Sequence, residues 1–281
     1  MLRGKKWWKK YLKCLTEEKK MYREEYIHCR QNQAFEQYRG GILLQKEIEK
    51  TYEEIDYKIR RPDLLGKTVQ VTAHQFPTVN ELVKSICEYE QMECPPVYVY
   101  EDYYYGAESY GIRKPWIELS AKTIQDFSEE ELGFVLGREI YKIADGVTGQ
   151  KTMMEERFRM IRQMAPNQLE QASRISFYHW YRIANYSADN YGYLQCGNIQ
   201  TAVNAILKMV LNSIGLADQV DIREFIGQAS EINRLDDDVF NYTKADEPVP
   251  YAPHRIQNLM AYAISERGLR ARETMERWKR V

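Results

Sequence analysis

Side chains able to do chemistry are few in this chain and poorly placed for the common reactions. Four histidines, His28, His74, His179 and His254, are the best neutral metal ligands, and no two stand three or four positions apart. One helical face therefore cannot present a pair of them to an ion. Five cysteines (Cys14, Cys29, Cys87, Cys94 and Cys196) are widely spaced, with no CxxC pair and no zinc-knuckle spacing. No G-x-S-x-G elbow, P-loop or dinucleotide fingerprint occurs. The acid best placed for work is Glu139, with Arg138 beside it and Lys142 one turn on. Opposite charges that close favour the carboxylate, which makes a poor general base at neutral pH. A second polar stretch, 180–190, carries Asn185 and Asp189 four residues apart, on one helical face.

Helices must position these groups. Ser128 with Glu131 spells a capping box that launches a helix to about residue 144, carrying Glu139. A helix over 168–195 would carry Asn185 and Asp189, with others over 152–164, 198–214, 221–235 and 253–279. Upstream, 68–72 alternates as a strand, and Pro77-Thr78 opens a helix with Leu82, Ile86 and Tyr89 on one face. Short strands follow at 97–100, 109–112 and 116–119. Residues 5–60 read as one or two long helices rich in Glu–Lys pairs, broken at Gly40-Gly41 and ended by Arg61-Pro62-Asp63. The order predicts an α+β, mostly helical fold with a small β-sheet and long N-terminal helices. It divides the chain into an N-terminal helical extension, 1–62, and a main domain, 63–281.

Composition narrows the partners. Hydrophobic residues make up 44% of the 281 and charged ones 29%, as in ordinary globular proteins. A net charge of −1 provides no field to draw in nucleic acid, so none is expected as a partner. The most apolar run, 202–217, is interrupted by Lys208 and Asn212 and reads as a core helix, so no membrane-spanning segment is expected. Unpaired cysteines suit a reducing, cytoplasmic setting. The lysine-rich start has no apolar segment behind it and does not read as a secretory signal. Trp7 and Trp8 with their neighbouring lysines offer peripheral contact with a membrane, or else dock a first helix on the body of the protein. Twenty-two tyrosines are expected between helices with their hydroxyls at the surface.

Several segments then take on a common meaning. The 127–143 stretch is similar to the acidic, capped helix bearing H-E-x-x-H in zinc peptidases of the HtpX and CaaX-prenyl-protease family. Here Arg138 and Lys142 stand at the two histidine positions and Glu139 keeps the acid. The 180–190 stretch resembles the family's W-x-R-x-x-E-x-x-A-D, with Asn185 at the third zinc ligand and Asp189, the acid behind the ligands, retained. Gln75-Phe76-Pro77 through 95–99 looks like the lead-in helix and strand. Ala107, Glu108, Ser109, Tyr110 and Gly111 sit where the family has its substrate-edge strand, and Val249 replaces a histidine ahead of Arg255-Ile256.

The resemblance implies a zincin-like fold without its metal. Guanidinium has no lone pair to give, ammonium must first lose a proton, and a neutral amide is a weak substitute for carboxylate. No cofactor is expected. Arg138, Glu139, Lys142 and Asp189 are expected to form an ionic cluster in place of zinc, with Arg138 on Asp189. Alternatively, the cations swing into solvent in an open cleft. Three functions follow. The first is an inactive peptidase homologue binding a peptide or protein along 107–111 by strand addition. The second is a scaffold or membrane-peripheral adaptor using its N-terminal helices, with the old cleft filled. The third is an enzyme still, using Glu139 without metal or a relocated metal as an atypical metalloendopeptidase.

Overall fold

A computed structural model describes residues 24–39, 45–164 and 168–279; the Trp7–Trp8 segment, Cys14 and the Gly40-Gly41 break lie outside them. Four strands form one mixed sheet: β1 (Val69–Gln70), β2 (Val97–Tyr100), β3 (Ala107–Tyr110) and β4 (Trp116–Ser120), in the order β1-β2-β4-β3. β2 and β4 run parallel, with Val97 opposite Ile117. Every residue of β4 is buried, as expected of a strand covered on both faces. β3 folds back antiparallel, with Ser109 opposite Ile117, and forms one edge. The return needs Gly111, whose φ of +97° favours glycine and whose added Cβ would lie 2.7 Å from the Lys114 carbonyl oxygen. The 68–72 strand shortens to two exposed residues, because Thr72 and Gln75 pair with each other in a tight turn.

Helices supply the rest. α1 (Gln31–Arg39) and α2 (Gln45–Thr51) precede a π-helical turn (Tyr52–Asp56) and α3 (Tyr57–Lys67). α3 is not ended by Arg61-Pro62-Asp63 as expected but runs through Pro62 to Lys67. Pro62 is exposed, so the carbonyl deprived of its N–H partner can turn toward water. Arg60 and Arg61 then fasten α3 to the sheet, through Glu118 and the Tyr98 hydroxyl. The boundary drawn at residue 62 thus falls inside one helix. Tyr26 packs edge-on against Tyr141 and Tyr191 in the main core, so the 24–39 stretch is part of the body.

α4 (Pro77–Glu90) and α5 (Ala121–Asp126) flank the sheet. α6 (Glu129–Ala144) and α8 (Gln168–Cys196) carry the polar residues singled out above, and α7 (Val147–Met164) lies between them in the chain. α9 (Ile199–Leu211), α10 (Ile214–Ala217), α11 (Ile222–Arg234), α12 (Asp238–Asp246), α13 (Ala252–Ala263) and α14 (Glu266–Lys279) complete the order. The helix expected over 253–279 breaks because the Ser265 hydroxyl accepts the Gly268 N–H and donates to the Tyr262 carbonyl. α12, unforeseen, begins at Asp237, which caps the Phe240 N–H.

α6 is the central element. Its capping box is present, with the Ser128 side chain on the Glu131 amide and the Glu131 carboxylate on the Ser128 amide. Three acids in its first turn favour the positive end of the helix dipole. From residue 131 to 142 every side chain is buried, so the helix is enclosed all round. α8 crosses it closely. A Cβ on Gly192 would lie 2.6 Å from the Phe134 carbonyl oxygen, and one on Gly137 would lie 2.8 Å from Gln195 Cγ. The buried tyrosines also depart from expectation. Tyr141 donates to Gln31, Tyr105 donates to Asp126 and Tyr98 accepts from Arg61, so these hydroxyls are satisfied inside.

Candidate functional site

Arg138, Glu139 and Lys142 from α6 meet Asn185 and Asp189 from α8 in the interior. All five are buried, Glu139 and Asp189 completely so. Arg138 Nε lies 2.7 Å from Asp189 Oδ1, an ion-pair contact without the alignment of a hydrogen bond. The same guanidinium donates to Asn185 Oδ1 at 3.2 Å. A further partner arrives from α13: Arg255 donates to Asp189 through Nε at 2.9 Å and through a terminal nitrogen at 2.8 Å. This two-pronged fit matches the fork of guanidinium to the carboxylate plane. Burial works against a charged Asp189, but Arg255 and Arg138 together outweigh it and hold the carboxyl below its usual range. For Arg138 burial is the largest influence and Arg255 repels it, so its affinity for the proton falls despite Asp189. For Arg255 burial is again opposed, and the bond to Asp189 prevails.

Glu139 points the other way, toward the sheet. Its Oε1 accepts from Lys142 Nζ at 2.7 Å, while Oε2 accepts the Ser109 amide at 2.9 Å and the Ser109 hydroxyl at 2.8 Å. The Ser109 hydroxyl also pairs with Thr148 of α7 at 2.7 Å. On the same edge, the Gly111 amide donates to Thr152 at 3.1 Å. β3 pairs with β4 through the other set of amides, so Ser109 and Gly111 are positions that a sheet edge would offer to a newcomer. Both amides already have partners. An incoming strand would have to displace Glu139 and Thr152, which speaks against peptide capture along 107–111. Glu108 and Tyr110 are also engaged: Lys151 pairs with Glu108 at 2.6 Å and lies 4.5 Å from the Tyr110 ring centre. With Lys151 and Glu155 included, four cations face four carboxylates.

The donor set can be tested against a divalent metal. Arg138 and Lys142 present N–H groups, and both ends of the Asn185 amide are taken, by Arg138 and by the Tyr181 carbonyl. The oxygens of Glu139 and Asp189 accept from protein donors. These residues do not fit zinc. Among the described residues no three His, Cys, Asp or Glu side chains are placed to share an ion. His28 lies beside Tyr186, His254 bonds Asn233 and His74 sits in a turn, so these histidines serve separate places. Val249 packs against a buried cluster that includes Tyr38, Phe177 and Trp180.

Arg255, Ser109, Thr148 and Thr152 complete the site, and sequence reasoning did not assign them to the cluster. The signal for Arg255 lay in the Arg255-Ile256 pair, which carried only a likeness and no contact. Compared with protein-family models, curated proteins and solved structures, the chain matches none. No helix among the described residues is long and apolar enough to cross a membrane.

Proposed function

We propose that this chain is a non-catalytic relative of the HtpX and CaaX-prenyl-protease zinc peptidases, in which an ionic cluster takes over the metal's task of tying two helices together. It works as a scaffold that meets protein partners through its outer surface. The observation that carries this reading is the filled interior: Arg138 and Arg255 converge on Asp189, while Lys142 and Ser109 saturate Glu139. A hydrolase needs a cleft that admits substrate and an acid with a free lone pair. Here the acid is fully buried and its oxygens are engaged. The mixed sheet, with an antiparallel edge strand beside the helix bearing Glu139, supports the zincin-like reading.

Elemental mass spectrometry of protein purified without chelator tests this directly. Substoichiometric zinc is expected, with no change in thermal stability after dialysis against a chelator. One zinc per chain, or peptide cleavage abolished by Glu139→Gln, would overturn the proposal.

A further inference from the structure

A cleft of about 350 Å3 opens on the far side of the sheet from the ionic cluster, between α3 and the loops leading into β2 and β4. Its volume falls within the range of small-molecule sites. Half-buried Tyr57, Pro96 and Pro115 provide apolar walls, and beneath them Trp116 and Leu64 belong to a buried cluster with Tyr98. Three cations line it, Arg61, Arg113 and Lys114, against one acid, Glu93.

Pairing separates these cations. Arg113 is tied to Glu49 at 2.7 Å. Arg60, next to Arg61 but outside this cleft, bonds both oxygens of Glu118. Half-buried Arg61 instead gives one N–H to the neutral Tyr98 hydroxyl at 2.5 Å, and no carboxylate among the described residues pairs with it. Lys114 Nζ hangs 5.5 Å from the Tyr57 ring centre, also without a carboxylate partner among the described residues. A half-buried guanidinium with spare donors calls for an anion, and the aromatic and proline walls call for a flat apolar body.

We propose that this cleft binds a small aromatic anion, its acidic group between Arg61 and Lys114 and its ring against Tyr57 and Pro115. The site is independent of the ionic cluster, so either proposal can fail alone.

Phenyl phosphate serves as probe on the full chain, followed by titration calorimetry, with inorganic phosphate and benzyl alcohol as its two halves. Saturable binding is expected, at least about tenfold tighter than either half, because ring and charge both contribute. Arg61→Gln and Lys114→Ala should each weaken it about tenfold, the scale of a lost charge-assisted hydrogen bond. Lys58→Ala, on α3 but outside the cleft, should leave it unchanged. Cys94 lines the cleft and is exposed, so saturating phenyl phosphate should slow its alkylation by iodoacetamide while leaving exposed Cys29 unaffected. Lys114 is itself exposed, so its variant reads binding and not folding. Affinity no better than that of inorganic phosphate, an unchanged Lys114→Ala, or an unprotected Cys94 would each overturn the assignment.

Discussion

Replacing Asp189 by Asn keeps the shape of the cluster and removes the charge that Arg138 and Arg255 share. Two guanidiniums would then lie buried beside a neutral amide, and breaking a buried pair in this way costs about 3–5 kcal/mol. Asp189→Asn should therefore lower the urea midpoint sharply at neutral pH. The pH dependence has a definite sign. The folded carboxyl is held below its ordinary value of 3.8, so its stabilisation is complete above that pH and is lost as pH falls through the lowered value. The gap between parent and variant, measured by urea unfolding at a series of pH values, should close only in that acid range. No gap at neutral pH would mean that Asp189 acts through shape alone. Part of this site is legible in the sequence, since helical spacing puts 138 with 142 and 185 with 189 on single faces. Arg255 is not legible, because neither period nor spacing links residues 66 positions apart.

The elements divide along the same line. Caps announce themselves locally, as at Ser128 and Glu131, and α6 begins where they say. The continuation of α3 through Pro62 and the break at Ser265 depend on solvent exposure and one hydroxyl, which local propensity does not reveal. The covered edge of β3 is likewise a tertiary fact, made by side chains of α6 and α7. Thr152→Val removes the acceptor of the Gly111 amide at nearly constant volume. Hydrogen exchange at Gly111 should rise about tenfold while Ser109, held by Glu139, stays protected. Equal exchange at both amides in the parent and variant would show that the edge is already open. The α6–α8 crossing gives a second test. Gly192→Ala forces a carbon to 2.6 Å from a backbone oxygen, and overpacking of this kind costs about 1–3 kcal/mol. Thermal denaturation should record the loss; an unshifted transition would mean that the helices part freely.

At the scale of the whole molecule, the first described segment behaves as core. Gln31 bonds Asp145, accepts from Tyr141 and lies against Ser187, and Tyr26 is wedged between two other tyrosines. A chain shortened to begin at residue 45 should lose cooperative unfolding by calorimetry, because buried polar atoms of α6 and α8 would be left without partners. A retained sharp transition would make the segment dispensable. Neither the pairing of Gln31 with α6 nor the position of Tyr26 can be read from periodicity, which fixes faces and not neighbours.

The enclosure of α6 has a consequence during synthesis. Leu132-Gly133-Phe134-Val135-Leu136 leaves the ribosome before α8, its principal cover, has been translated. Until then a strongly apolar pentapeptide stands bare to other nascent chains. Glu129, Glu130 and Glu131 on one flank and Arg138 on the other act as gatekeeping charges against intermolecular stacking. Recovery from denaturant should accordingly fall with protein concentration, and neutralising Glu129, which is exposed and outside the capping box, should steepen the fall.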